Sequence, residues 1–289
     1  MVVATGFFDG VHIGHRKVLG QLVEAARARG GESMVITFWP HPRSVLQKDA
    51  RTLRLLTSLN EKIALIRSLG VDRVEVLDFS REFSRLSCRE YLRDVVKGRF
   101  GADAVLLGYD NRIGSDCCSP DQAALTAEEL GLEVIRSKPV DREGSAVSST
   151  RIRTALAEGR VEEAAEMLGR PYSLYGVVVA GNRLGRTIGF PTANMQLYDP
   201  LKQLPGNGAY LVDVHTLGRR FRGMCNIGVR PTVGDGRALT VETNIFDFDE
   251  DIYGLDISLD FLARIRGERR FSSLEDLAVQ LEKDKKFRL

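Results

Sequence analysis

The sequence predicts an α/β protein in two parts. A Rossmann-like domain with a parallel, doubly wound sheet comes first, and an antiparallel β-barrel with a C-terminal helix follows. Three observations predict this. Strand and helix patterns alternate from Val2 to Ile135, the pattern of a parallel sheet. Around residues 150–170 the texture changes to two short helices. Beyond them, strand follows strand. In one of these Leu255, Ile257, Leu259 and Phe261 alternate with Asp256, Ser258 and Asp260, as one buried face requires, and an all-β barrel is the natural architecture.

The elements follow in order. An apolar run at 2–5 is a strand. A helix opens at His12 to His15, with Val18, Leu19, Leu22, Val23 and Ala26 on one face and Gly30-Gly31 at its end. Residues 33–38 are a buried strand. Asn60 begins a helix carrying Ile63, Leu65, Ile66 and Leu69, stopped by Gly70. Residues 73–77 are a strand, and Ser87 with Glu90 forms a capping box before Tyr91, Leu92, Val95 and Val96. A strand at 104–107 precedes a helix capped by Ser119 with Pro120 in its first turn, and 133–135 is the next strand. Helices at 151–156 and 161–168 are broken by Gly159, and Gly169-Arg170-Pro171 ends the helical pattern. Strands are then predicted at 174–179, 209–214, 221–227, 239–248 and 255–262, and a last helix at Ser272 with Glu275 completing a capping box. Domains are accordingly expected at 1–156 and 171–289, joined by a helical linker at 157–170.

The chain has 289 residues, enough for two domains of ordinary size. With 43% hydrophobic and 28% charged residues it reads as a soluble globular protein. The formal net charge, 41 − 39 = +2, gives no argument for nucleic acid or membrane as partner. No apolar run is long enough to span a bilayer and no secretory signal is visible. Cys88, Cys117, Cys118 and Cys225 are few and irregularly spaced, which suits reduced thiols in a cytoplasm. The first strand starts almost at residue 1, so a few natural residues are expected to precede it.

The densest signal is Gly6-Phe7-Phe8-Asp9-Gly10-Val11-His12-Ile13-Gly14-His15. A strand ends in a glycine-punctuated turn, and a helix then opens on two histidines that share one face. Free backbone N–H groups at that helix start attract anions, and Gly10 and Gly14 let a phosphate come close. The lysine of a P-loop is missing. A zinc site is the weaker reading, because only His41 and His215 remain as further histidines. Near it in the predicted fold, Thr37-Phe38-Trp39-Pro40-His41-Pro42 is a loop stiffened by two prolines, whose aromatics suit a planar ring or simply the core. Ser148-Ser149-Thr150-Arg151-Ile152-Arg153 puts hydroxyls at a helix start and arginines in its first turns, suited to phosphate or to capping alone. Together these segments point to adenylyl transfer, chemistry of positioning and charge cancellation.

In the second half, residues 181–194 hold Gly181, Arg186, Gly189 and Pro191-Thr192-Ala193-Asn194. The spacing is not that of a P-loop. Thr192 and Asn194 are oxygen donors suited to Mg²⁺. Glu242, in an alternating strand, is placed to take a proton from an alcohol or to face solvent.

These residues resemble the prokaryotic bifunctional riboflavin kinase/FAD synthetase family over nearly the whole chain. Gly6 to His15 matches its G-x-F-D-G-V-H-x-G-H stretch. Phe38 to Pro42 matches T-F-x-P-H-P, and Ser148 to Arg153 matches S-S-T-x-I-R. Leu56-Thr57 with Glu61-Lys62 matches L-T-x-x-x-E-K. Gly189 to Asn194 matches the flavokinase G-F-P-T-A-N. Phe7, Asn111 and Thr243-Asn244 depart from the common pattern. The resemblance implies a nucleotidyltransferase domain and a flavokinase-like barrel, which use Mg²⁺, ATP, riboflavin and FMN. It implies His12, His15, Arg153 and Glu242 as catalytic residues, Glu242 as base on the riboflavin 5′-hydroxyl. ATP is implied at Gly6, Phe8, Asp9, Gly10, Gly14, Ser148, Ser149, Thr150 and Arg151 in the first domain. In the second it is implied at Gly181, Arg186, Gly189, Thr192 and Asn194, the last two also holding the metal. Flavin is implied at Phe38, His41, Pro42, Asp110, Arg112 and Arg266. The partners expected are small molecules, with a monomer or weak homo-oligomer in the cytoplasm. Two other readings stand beside this one: a flavin-binding or regulatory protein without turnover, and an adenylyltransferase for another phosphorylated metabolite.

Overall fold

A computed structural model of the chain describes residues 1–46, 52–108, 112–137, 147–181, 184–231 and 237–288. The chain forms two compact units, Met1–Ser148 and Ser149–Leu289.

In the first unit β1 (Val2–Thr5), β2 (Ser33–Trp39), β3 (Arg73–Asp78), β4 (Ala104–Leu107) and β5 (Glu133–Arg136) form one sheet in the order β3-β2-β1-β4-β5. Every neighbouring pair is parallel, as the alternating sequence requires. Side chains alternate between the two faces. Val2, Ala4, Val35 and Leu106 pack under α1 (Ile13–Ala28) and α3 (Leu59–Ser68). Val3, Met34, Ile36 and Val105 face the opposite layer. That layer is α4 (Cys88–Glu90), which runs on as a π-helix (Tyr91–Arg99), and α5 (Pro120–Glu129). The helix expected from Asn60 starts at Leu59. Ser58 is its cap: the hydroxyl accepts from the Glu61 N–H, and the Glu61 carboxylate accepts from the Ser58 N–H. The Ser87–Glu90 capping box forms as the sequence predicts. A short α2 (Pro42–Leu46) follows the loop after β2.

The second unit opens with α6 (Ser149–Ala157) and α7 (Val161–Leu168). The Glu162 carboxylate accepts from the Arg264 backbone N–H at 2.9 Å, and the Arg264 guanidinium donates to the Glu158 carbonyl at 3.0 Å. Next come β6 (Tyr172–Val179), α8 (Leu184–Thr187), β7 (Ala193–Leu197), β8 (Gly208–Thr216), β9 (Arg219–Pro231), β10 (Arg237–Ile245) and β11 (Asp256–Gly267). The six strands close a barrel in the order β10-β7-β6-β11-β8-β9, antiparallel throughout, which leaves no open edge. Two strands differ from expectation. The strand expected at 239–248 stops at Ile245, because the chain turns through Asp247 with φ of 53°. The segment around Ala193, where no strand is predicted, is β7, the strand that joins β6 to β10. Only Met195 of its five residues is buried, so its apolar signal was too thin to read.

The last helix, α9 (Leu274–Lys285), is capped by Ser273 and not Ser272: the Ser273 hydroxyl accepts from the Asp276 N–H at 3.0 Å. Ser272 donates instead to the Asp276 carboxylate at 2.6 Å. Among the described residues no helix is long and apolar enough to cross a membrane.

Candidate functional site

In the first unit the turn between β1 and α1 is tightly wound. Phe8, Gly10 and Val11 have φ of 52°, 82° and 41°, a region that costs a residue with a side chain about 1–3 kcal/mol. Contacts from the start of α3 hold this turn. The Asp9 carboxylate accepts from the Leu56 N–H at 2.9 Å and the Thr57 N–H at 3.1 Å, and the Gly10 N–H donates to Thr57 Oγ1 at 3.1 Å.

His12 caps α1. Its Nδ1 accepts from the His15 N–H at 3.3 Å, so in the neutral ring the proton sits on Nε2. The two imidazoles stack with centroids 3.6 Å apart and 17° between planes. Gly14 permits this, since a Cβ there would meet the His12 ring at 3.2 Å. Phe8 packs edge-on to His15 at 5.3 Å. Burial, then the charges of His12 and Lys62, hold His15 well below its ordinary 6.5. His15 Nδ1 is sealed from solvent and has no hydrogen-bond partner among the described residues. Preset imidazoles at the positive end of a sixteen-residue helix are an arrangement chemically suited to a polyphosphate.

A cavity of about 650 Å³ adjoins this turn, lined by Gly6, Phe7, Phe38, Pro42 and Arg112 among others. Phe38 packs against Phe79, Phe83 and Tyr91 with centroids 5.8, 5.7 and 6.4 Å away. The buried Tyr91 hydroxyl shares a 2.6 Å hydrogen bond with Thr5 Oγ1. His41 meets the Phe7 ring edge-on at 4.0 Å. A cavity of this size with aromatic walls and few polar groups suits a planar heterocycle. Asp110, also expected here, lies outside the described residues. Ser148 ends the first unit, whereas Ser149, Thr150, Arg151 and Arg153 begin α6 in the second, with Arg153 donating to Thr150 Oγ1 at 3.4 Å.

In the barrel two cavities share one wall at Thr192. One, of about 320 Å³, is lined by Arg186 on α8, Thr192, Thr243, Asp249 and Tyr253 among others. The other, of about 260 Å³, is lined by Thr192, Asn226, Glu242, Asn244 and Arg266 among others. Glu242 is half-buried on β10 and stands in register with Asn194 on β7 and Asn226 on β9. Asn194 packs on Gly181, where any Cβ would lie 2.1 Å from its amide. Gly189 follows α8 with φ of 82°. Arg266 is fastened to α9: its Nε donates to buried Asp284 at 2.9 Å, and Gln280 donates to the same carboxylate at 2.8 Å.

Several lining residues escaped the sequence reading. Phe79 and Phe83 belong to no motif, and Asp284 is one charge among many in the last helix. Lys62 was visible only as the end of a motif, yet it lies against Phe7 beside the two histidines.

Comparison with known proteins agrees with this division. The FAD synthetase family matches residues 1–151, and the riboflavin kinase family matches residues 168–288. The chain is 36% identical to the bifunctional riboflavin kinase/FMN adenylyltransferase of Bacillus subtilis, covering 98% of this chain and 90% of that one. The same identity and coverage hold for the Escherichia coli K12 protein of that name. A crystal structure described as a macrolide-efflux protein from Streptococcus pneumoniae superposes with a TM-score of 0.91 at 36% identity, covering 98% of this chain and 92% of that one.

Proposed function

The chain belongs to the family of bifunctional riboflavin kinase/FMN adenylyltransferases, and from that premise we propose how its own residues divide the work. Phosphorylation of riboflavin by ATP gives FMN, and adenylylation of FMN by ATP gives FAD and pyrophosphate. We assign adenylyl transfer to residues 1–156 and kinase chemistry to residues 171–289, with 157–170 as the connection.

For adenylyl transfer, FMN places its isoalloxazine in the aromatic cavity that Phe38 and Tyr91 help to line. Its phosphate oxygen attacks the α-phosphorus of ATP, and the bond from that phosphorus to the oxygen bridging to the β-phosphorus breaks. His12 and His15 offer N–H donors to the charge that grows there. Gly6, Phe8, Asp9, Gly10 and Gly14 shape the turn. Ser148, in the same unit, supplies a further phosphate contact. The observation that carries this reading is the stacked, helix-capping pair of imidazoles.

For the kinase, ATP enters the cavity of Arg186 and riboflavin the cavity of Glu242, so the γ-phosphate crosses at Thr192, their common wall. Glu242 takes the 5′-hydroxyl proton as the oxygen–phosphorus bond forms. Thr192 and Asn194 offer hard oxygen donors, and Glu242 is in register with Asn194. Among the described residues no cluster of His, Cys, Asp or Glu would hold a metal alone. This donor set fits Mg²⁺, which takes few protein oxygens and completes its shell with phosphate and water. Thr192 and Asn194 would hold it, and its chemistry is the neutralisation of phosphate charge. The protein is inferred to work in the cytoplasm as a monomer or weak homo-oligomer.

Product analysis of the full chain tests the division. Riboflavin, ATP and Mg²⁺ should give FMN and then FAD, whereas FMN and ATP with a Glu242→Gln chain should still give FAD. Loss of both products in that variant would overturn the separate assignment.

A further inference from the structure

Lys62 lies on α3, far in sequence from the turn that holds the histidines. Its side chain is only 1% exposed. Its Nζ has no hydrogen-bond acceptor among the described residues and sits 4.0 Å from the centroid of the Phe7 ring. The nearby carboxylate, Asp9, already accepts from two backbone N–H groups and the Thr57 hydroxyl. A buried ammonium without a hydrogen-bond partner is costly, and the face of one ring returns only part of that cost. His15 Nδ1, which feels the Lys62 charge, is likewise buried and unpartnered. Two buried nitrogens without hydrogen-bond partners among the described residues, beside the start of α1, suit an anionic ligand.

We propose that Lys62 is a further substrate-contacting residue of adenylyl transfer: its ammonium, held here on the Phe7 ring, turns to the β- and γ-phosphates of ATP and neutralises the pyrophosphate that leaves. The balance is that of the established reaction. An FMN phosphate oxygen bonds to the α-phosphorus, and the bond from that phosphorus to the bridging oxygen breaks. Its electron pair departs on pyrophosphate, whose charge Lys62 meets. The four-carbon stem of lysine allows the swing. Burial brings Lys62 from 10.5 down to about 8, so the amine still carries its proton near neutrality. The inference rests on reading Gly6 to His15 as the polyphosphate site.

The test uses the full chain, with Lys62→Met, Lys62→Arg and His15→Ala. In Lys62→Met, kcat/KM for ATP in FAD synthesis and the affinity for inorganic pyrophosphate should each fall about 10–100-fold, the worth of one charged hydrogen bond. KM for FMN should stay within twofold, the melting temperature should hold or rise, and Lys62→Arg should recover part of the loss. An unchanged pyrophosphate affinity, or a fall in melting temperature with FMN and ATP affected equally, overturns the proposal. A crystal structure of the wild-type protein with pyrophosphate decides independently of folding. Nζ within hydrogen-bond distance of a phosphate oxygen supports the role, and Nζ still over Phe7 refutes it. His15→Ala separates the two levels. If it spares ATP use, the phosphate site itself is misassigned. If it abolishes ATP use while Lys62→Met does not, only Lys62 is removed.

Discussion

His12 and His15 stack at 3.6 Å, and the Nδ1 of the first accepts from the backbone N–H of the second. One contact therefore caps the helix, sets the His12 tautomer and aligns both rings. His12→Ala and His15→Ala should each lower FAD formation by about 10²–10³, the usual cost of losing one preset donor. FMN formation should be unchanged, since the kinase cavities lie within the barrel. Separate assays of the two products on each variant check this.

His15, half-buried with its Nδ1 sealed from solvent, has a pH signature. The folded protein holds it well below 6.5, whereas the unfolded chain protonates it near that value. Unfolded chains then bind the extra proton, so stability is full above about pH 6.5 and is lost as the pH falls below it, by at most about 1.4 kcal/mol per pH unit. Urea midpoints for the first unit's transition between pH 7 and pH 5 should drop more steeply in wild type than in His15→Gln.

Glu242 is half-buried beside Asn194 and Asn226. Glu242→Gln keeps its shape and removes its basicity. The kinase kcat should fall about 10²-fold, the low end for a positioned base because the transition state of phosphoryl transfer is loose. Riboflavin binding should persist. A kcat within twofold of wild type at saturating riboflavin and Mg-ATP would return Glu242 to a structural role.

Asp284 is 4% exposed and pairs with Arg266. Asp284→Ala leaves that guanidinium half-sealed and unpaired, a loss of about 3–5 kcal/mol for a buried pair. The barrel should melt earlier and make FMN more slowly, because α9 then frees the wall formed by Leu277 and Leu281. FAD synthesis from supplied FMN, measured at low temperature, should be nearly unaffected.

A fragment of residues 149–289 should make FMN and no FAD. It should be more stable than one beginning at residue 171. The shorter piece loses α7, whose Val161, Ala164 and Leu168 are fully buried and whose Glu162 accepts from the Arg264 N–H. Melting temperatures of the two fragments compare them directly, and equal values would show α7 to be dispensable.

Signals that live within a few residues were legible in the sequence. The period of two in β11, the capping box at Ser87 and Glu90, and the H-x-G-H turn each act locally, through backbone geometry that neighbouring side chains set. They yielded the parallel sheet, the barrel and the histidine pair. Tertiary structure alone decided what depends on register and packing. It made Ala193–Leu197 the strand that completes the barrel, and Thr192 the wall between two cavities. It turned Arg266 toward Asp284. It also carried Lys62, legible only as the end of a short motif, onto Phe7. Such contacts join residues far apart in the chain, and no local pattern encodes them, because a side chain's partner is fixed only when whole elements pack in one register.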